Sequence, residues 1–168
     1  YSDGDFDFMA EERRQNAQTP HYIDFQKILN ESTAGKKAQI ELKNRLDQTI
    51  KQLEKNQKDL QEQEKKIIQQ KKLISTEEYK KQVNILRKKV SGLQKNRSDA
   101  LQKIAKQRAK AKQELLKNLN PIIKSYMQEK KIRMVLNKKN LILADEKLDI
   151  TKDVMTLLNA KIKSVKLD

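Results

Sequence analysis

Leu46, Leu53, Leu60, Ile67 and Ile74 recur at seven-residue intervals, which lays them in one stripe along an α-helix that begins near Lys36. The second position of that stripe is mostly polar, being Thr49, Asn56, Gln63 and Gln70. The pattern predicts a coiled-coil seam that is only half apolar and therefore loosely held. Ser75 followed three residues later by Glu78 is a capping box, in which each side chain satisfies a backbone N–H left over at a helix start. A hairpin tip is expected at residues 72–76. The returning helix carries Tyr79, Val83, Leu86, Val90 and Leu93 at alternating spacings of four and three, then Ala100, Ile104, Ala111 and Leu115 less regularly. Packed antiparallel, the two stripes face each other, and an arm of about 40 residues reaches roughly 60 Å.

The flanks have a different rhythm. Tyr22, Ile23 and Phe25 are β-favouring side chains that predict a short strand, followed by a helical turn at Ile28 and Leu29. Glu31 to Gly35 reads as a break, with Ser32 or Thr33 able to cap the arm helix. Pro121 removes a helical donor, so the returning helix is expected to kink or restart there behind Asn120. Ile132 to Leu136 and Leu141 to Ala144 are apolar-rich runs separated by Asn137, Lys138, Lys139 and Asn140, the signal of a β-hairpin. Thr151 is the expected cap of a last helix whose Val154, Leu157, Leu158 and Ile162 share one face.

These elements divide the chain into a head at residues 21–35 and 120–168 and a helical-hairpin arm at 36–119. Ile23, Phe25, Val135, Leu136, Leu141 and Ile142 are the candidates for head core or subunit interface. Leu46, Leu53, Leu60, Ile67, Val83, Leu86, Val90 and Leu93 are the arm seam. A head of some 64 residues buries too little to be stable alone, and with no cysteine for a disulfide the expected remedy is oligomerisation. Residues 1–20 are a separate acidic unit, net −3, expected to be a poorly ordered tail or a segment added for expression.

Composition sharpens this picture. Hydrophobic and charged residues each make up 36% of the 168 residues, with three Gly, two Pro and no Trp, a mix that suits long helices or disorder; the periodicity decides for helices. The formal charge of +15 calls for an anionic partner: nucleic acid, a lipid headgroup layer or an acidic polypeptide. Most of the charge is on the arm, where 24 Lys or Arg stand against 10 Asp or Glu, and Lys80, Lys81, Arg87, Lys88 and Lys89 form a candidate contact cluster. Non-specific nucleic-acid binding is the alternative function this suggests. The arm has one aromatic residue, Tyr79, so base stacking and sequence-specific recognition are not expected.

Catalytic and cofactor signals are thin. His21 stands without a second metal-ligating residue nearby, and Asp145, Glu146 and Asp149 precede a helix, where acids serve turns and the helix dipole. Gly4, Gly35 and Gly92 are isolated, so there is no phosphate-binding loop. No catalytic residue, metal or cofactor is expected. No apolar run approaches the ~20 residues of a membrane span and no apolar leader is present, so an exported protein would be seen here in its mature form.

The segment YIDFQKILNESTAGKKA, the lysine- and glutamine-rich hairpin with STEEY at its tip, and the terminal VLNKKNLILADEKLDITKDVMTLLNAKI together resemble the Skp/OmpH family over residues 21–162. The order of strand, hairpin and terminal motif carries the resemblance; the arm alone would not. It implies an α+β fold in which a small β-barrel-like trimerisation head is interrupted by a long antiparallel α-helical hairpin, a tentacle. It implies further a homotrimer in the periplasm of a Gram-negative bacterium, holding unfolded outer-membrane β-barrel proteins between three arms without ATP. An anionic lipid surface is a further candidate partner. Gln18, Thr19 and Pro20 stand where the family has strand residues, and proline lacks a ladder donor, so the first strand is expected to be short.

Overall fold

A computed structural model describes residues 19–168. The acidic tail expected at 1–20 lies, save Thr19 and Pro20, outside the described residues. Strand β1 (His21–Ile23) leads into helix α1 (Phe25–Glu31), then α2 (Thr33–Gln70) and α3 (Thr76–Lys130). Strand β2 (Val135–Asn137), two short 3-10 turns at Lys138–Asn140 and Glu146–Leu148, and helix α4 (Thr151–Lys161) complete the chain. The fold is mostly helical. Two compact units can be drawn: a head that runs to Gln39 and resumes at Ala109, and an arm of Ile40–Arg108.

Local chemistry explains where the elements stop and start. β1 begins one residue after Pro20, whose missing donor ends the ladder, and the next amide, that of His21, donates to the Met134 carbonyl at 3.0 Å. The Asp24 carboxylate caps α1 by accepting from the Lys27 amide at 3.0 Å. Ser32, fully buried, both ends α1 and starts α2: its amide donates to the Ile28 carbonyl and its hydroxyl accepts from the Gly35 amide at 3.1 Å. The break expected over five residues is thus one residue wide. Gly35 lies inside α2 because a Cβ there would stand 2.0 Å from the Leu29 carbonyl oxygen.

The head differs from the expected hairpin. β2 does not turn back on Leu141–Ala144; it pairs in parallel with β1, with Tyr22 opposite Leu136, and the sheet has two strands among the described residues. An isolated bridge to Asp149 lies on the other edge of Tyr22, and the Ile150 amide donates to the Tyr22 carbonyl at 3.0 Å. The backbone groups of β2 are used by β1, and Asn137, expected to serve a hairpin turn, caps a 3-10 turn instead by accepting from Lys139. Leu141–Ala144 are left without a strand partner.

Pro121 does not break α3, which runs unbroken from Thr76 to Lys130. A proline inside a helix, through the lost hydrogen bond and the clash of its ring, costs roughly 3 kcal/mol. On the same stretch Leu119 is fully buried in the head core and Ile122, Ile123 and Tyr126 are half-buried against it, and their combined burial offsets that cost. Pro121 and Lys117, whose carbonyl loses its donor, are both solvent-exposed. The core itself is Ile23, Ile28, Leu119, Ile132, Ile150, Val154 and Leu158, so residues from both ends of the chain meet in it.

Thr151 is not the cap of α4 but its first residue. Asp149 accepts from both the Thr151 amide, at 2.9 Å, and its hydroxyl, while that hydroxyl oxygen accepts from the Asp24 amide at 2.9 Å. One buried threonine thereby ties the start of α1 to the start of α4. Tyr126 on α3 donates its phenol proton to Asp153 at 2.7 Å, and burial together with that bond pushes its pKa up to about 12.

Candidate functional site

In the arm the heptad stripe points inward with three of its polar members, Thr49, Asn56 and Gln63, while Gln70 at the end of α2 is exposed. Leu46, Thr49, Leu53, Asn56, Leu60, Gln63 and Ile67 of α2 are all half-buried. Tyr79, Val83, Leu86 and Leu93 of α3 are half-buried as well, whereas Val90 is exposed. Gly92 is half-buried, and a Cβ added to it would meet no atom within 4 Å. Leu42 and Ile104 are the arm's buried apolar side chains among the described residues. Fully buried apolar surface is therefore scarce along the hairpin, and polar links stand in the seam: Lys89 donates to the Gln63 side chain at 2.9 Å.

At the tip, α2 ends at Gln70 and a turn through Lys71 and Leu73 is closed by the Leu73 amide donating to the Gln70 carbonyl at 2.9 Å. Ser75 accepts from the Glu78 amide at 3.1 Å and so caps α3. The Lys71 ammonium lies over the Tyr79 ring, 5.5 Å from its centroid. Leu73 is 82% exposed. A shallow groove of about 240 Å³ near the tip has Ile67, Ile85 and Leu86 as its apolar lining and Lys66 and Lys89 among its polar neighbours.

The candidate basic cluster of Lys80, Lys81, Arg87, Lys88 and Lys89 is exposed throughout. Among the described residues none of these five has an ion-pair partner, so their charge faces solvent.

In the head, Ile23 is fully buried, and Phe25 and Val135 are half-buried against the core. Leu141 is half-buried, Leu136 is exposed, and Ile142 is 99% exposed with its neighbour Leu143 at 91%. The six residues expected to form core or interface are therefore split between the core and the surface of the single chain. A separate groove of about 680 Å³ is lined by Lys27, Lys36 and Lys152 facing Glu31, Glu146 and Asp149, with Met155 and Thr156. Its mixed charge had no signal in the sequence, because its members are drawn from α1, α2, the 3-10 turn at Glu146–Leu148 with Asp149 after it, and α4. His21 contacts the Thr19 carbonyl at 3.0 Å, and among the described residues no group of three His, Cys, Asp or Glu could hold a metal ion. Burial, with the nearby carboxylates of Asp149, Glu146 and Asp145, raises the Tyr22 phenol above its ordinary pKa.

A helical hairpin inserted into a small head, where the two chain ends share one core, defines the structural class. A family model for OmpH-like outer membrane proteins matches residues 21–158, head and arm together, and the chain belongs to that family. A crystal structure from Caulobacter crescentus CB15, described as an OmpH-like outer membrane chaperone, matches with a TM-score of 0.82 at 23% identity. The match covers 89% of this chain and 90% of that one, a likeness of fold. Among functionally curated proteins none matches.

Proposed function

We infer that this chain is one subunit of an ATP-independent holdase chaperone of the periplasm, binding unfolded outer-membrane proteins between helical arms in a homotrimer. The observation that carries the reading is the family match, which spans both the hairpin and the head. Two features support the mechanism. The arm couples a half-polar seam to an exposed basic surface, so it offers many shallow contacts and diffuse charge where a deep pocket would bind one sequence. Ile142 and Leu143 stand almost fully exposed beside a sheet of only two strands, which is surface that further copies of the chain would cover.

The test is suppression of aggregation. An unfolded outer-membrane β-barrel protein diluted from denaturant should stay soluble in the presence of stoichiometric amounts of this protein, with no nucleotide added. Capture should slow as salt rises yet persist, because charge steers the encounter and apolar contacts retain the client. Aggregation at an unchanged rate, together with duplex DNA binding that falls steeply with salt, would transfer the assignment to a non-specific nucleic-acid binder.

A further inference from the structure

The residues that follow α4 are held differently from the rest of the head. Once the Ile162 amide has donated to the Leu158 carbonyl, the chain forms no further helix or strand, and among the described residues the main chain of Ser164–Leu167 makes no hydrogen bond. The side chains nevertheless alternate. Val165 is half-buried and Leu167 is buried at 5% exposure, while Ser164, Lys166 and Asp168 are exposed. Burial at every second residue without a ladder describes an extended segment laid against a surface by its side chains. Two contacts place that surface on α3. The Lys161 ammonium meets the Asn118 carbonyl at 3.5 Å, and the Lys110 ammonium donates to the Asp168 main-chain oxygen. These anchor points are about 12 Å apart along the helix, and the buried side chains of α3 between them are Ala111 and Leu115.

We propose that Ser164–Asp168 is a releasable strap, which closes over the apolar strip of α3 at Ala111 and Leu115 and opens as a unit while the core around Val154 and Leu158 stays folded. The difference in fastening is the reason. Freeing β1, β2 or α4 breaks main-chain hydrogen bonds, whereas lifting the strap breaks none between Ser164 and Leu167. Segments held this way lie at the low-stability end of a fold and open before it does. Leu167 is the lock, since burying one leucine favours the closed form by about tenfold or more. Closed, the chain covers its own apolar strip; open, it adds that strip to the surface the head offers. The strap follows the residues, 21–158, that the family model matches. It does not depend on the holdase reading, because the opening belongs to the head alone.

The chain has no cysteine, so a single introduced thiol reports exposure at its own position through its rate of reaction with a maleimide. Leu167→Cys keeps a small apolar side chain and should react several-fold more slowly than Lys166→Cys. Its rate should depend little on added urea, because lifting the strap exposes little surface. Leu158→Cys, in the core, should react with a steep dependence on urea. In a protein carrying Ala111→Cys, adding Leu167→Ser should speed the reaction about tenfold, with the helical signal unchanged. A Leu167→Cys protein that reacts as fast as Lys166→Cys would overturn the proposal, for the strap would not be closed. So would one whose rate climbs with urea as steeply as that of Leu158→Cys, or an Ala111→Cys rate unmoved by Leu167→Ser.

Discussion

Two glycines measure the difference between head and arm. A methyl group on Gly35 would collide with the Leu29 backbone at the head's α1–α2 junction, whereas one on Gly92 would stand in open space on the arm. The same substitution should therefore have opposite signs in the two regions. The head is a close-packed assembly in which residues from distant parts of the chain fix one another. The arm is a hairpin with half-buried apolar side chains and amide side chains in its seam, so it can yield without losing its secondary structure. A protein that must keep one region constant while another adapts is served by that division.

The largest expected effect separates folding from assembly within the head. Val154→Asp places an unpaired charge among fully buried side chains, which costs several kcal/mol and should abolish the cooperative melting of the head. Ile142→Asp alters a side chain that is 99% exposed in the single chain, so it should leave the core intact and lower the mass measured in solution. A head that unfolds equally in both variants would erase the distinction. Next comes Gly35→Ala, where backbone must move; we expect a loss of about 2–3 kcal/mol by chemical denaturation.

Smaller effects sharpen the contrast. Gly92→Ala should stabilise the arm by up to about 1 kcal/mol, since alanine is the better helix former and no atom opposes it. Tyr126→Phe removes the bond to Asp153, worth about 1 kcal/mol, and it should also change the alkaline limit of the head. The folded pKa of about 12 lies above the ordinary phenol value of 10.0, so the folded phenol keeps its proton where the unfolded one has lost it. That stabilisation is complete below pH 10.0 and is lost as pH rises through about 12. Denaturation midpoints measured across this window should fall more gently in Tyr126→Phe than in the parent.

The arm was legible because its signals are local and periodic. Leu46, Leu53, Leu60 and Ile67 announce the inward stripe, and Ser75 with Glu78 marks the tip to within a few residues. Val90 broke the pattern: it is exposed although its spacing matches the stripe. The head was less legible because its decisive contacts carry no local mark. A hairpin has a turn that can be recognised, but the parallel pairing of His21–Ile23 with Val135–Asn137 joins segments more than a hundred residues apart. Asn137 looked like a turn residue and is a cap; Thr151 looked like a cap and is a buried tie between Asp24 and Asp149. Pro121 was misleading for the opposite reason, since a local rule was outweighed by tertiary burial. The basic cluster could be named from composition, while the apolar apex at Leu73 emerged only with the turn that exposes it.

Hydrogen exchange of the full chain, followed by mass spectrometry with and without an unfolded outer-membrane β-barrel protein, tests the central claim most directly. In the free protein, amides of β1, β2 and α4 should exchange slowest, and those of the arm should exchange faster toward the tip near Ser75. Adding the client should slow exchange in the arm and leave the head unchanged. Uniform slow exchange from head to tip, or client protection confined to the head, would contradict the account.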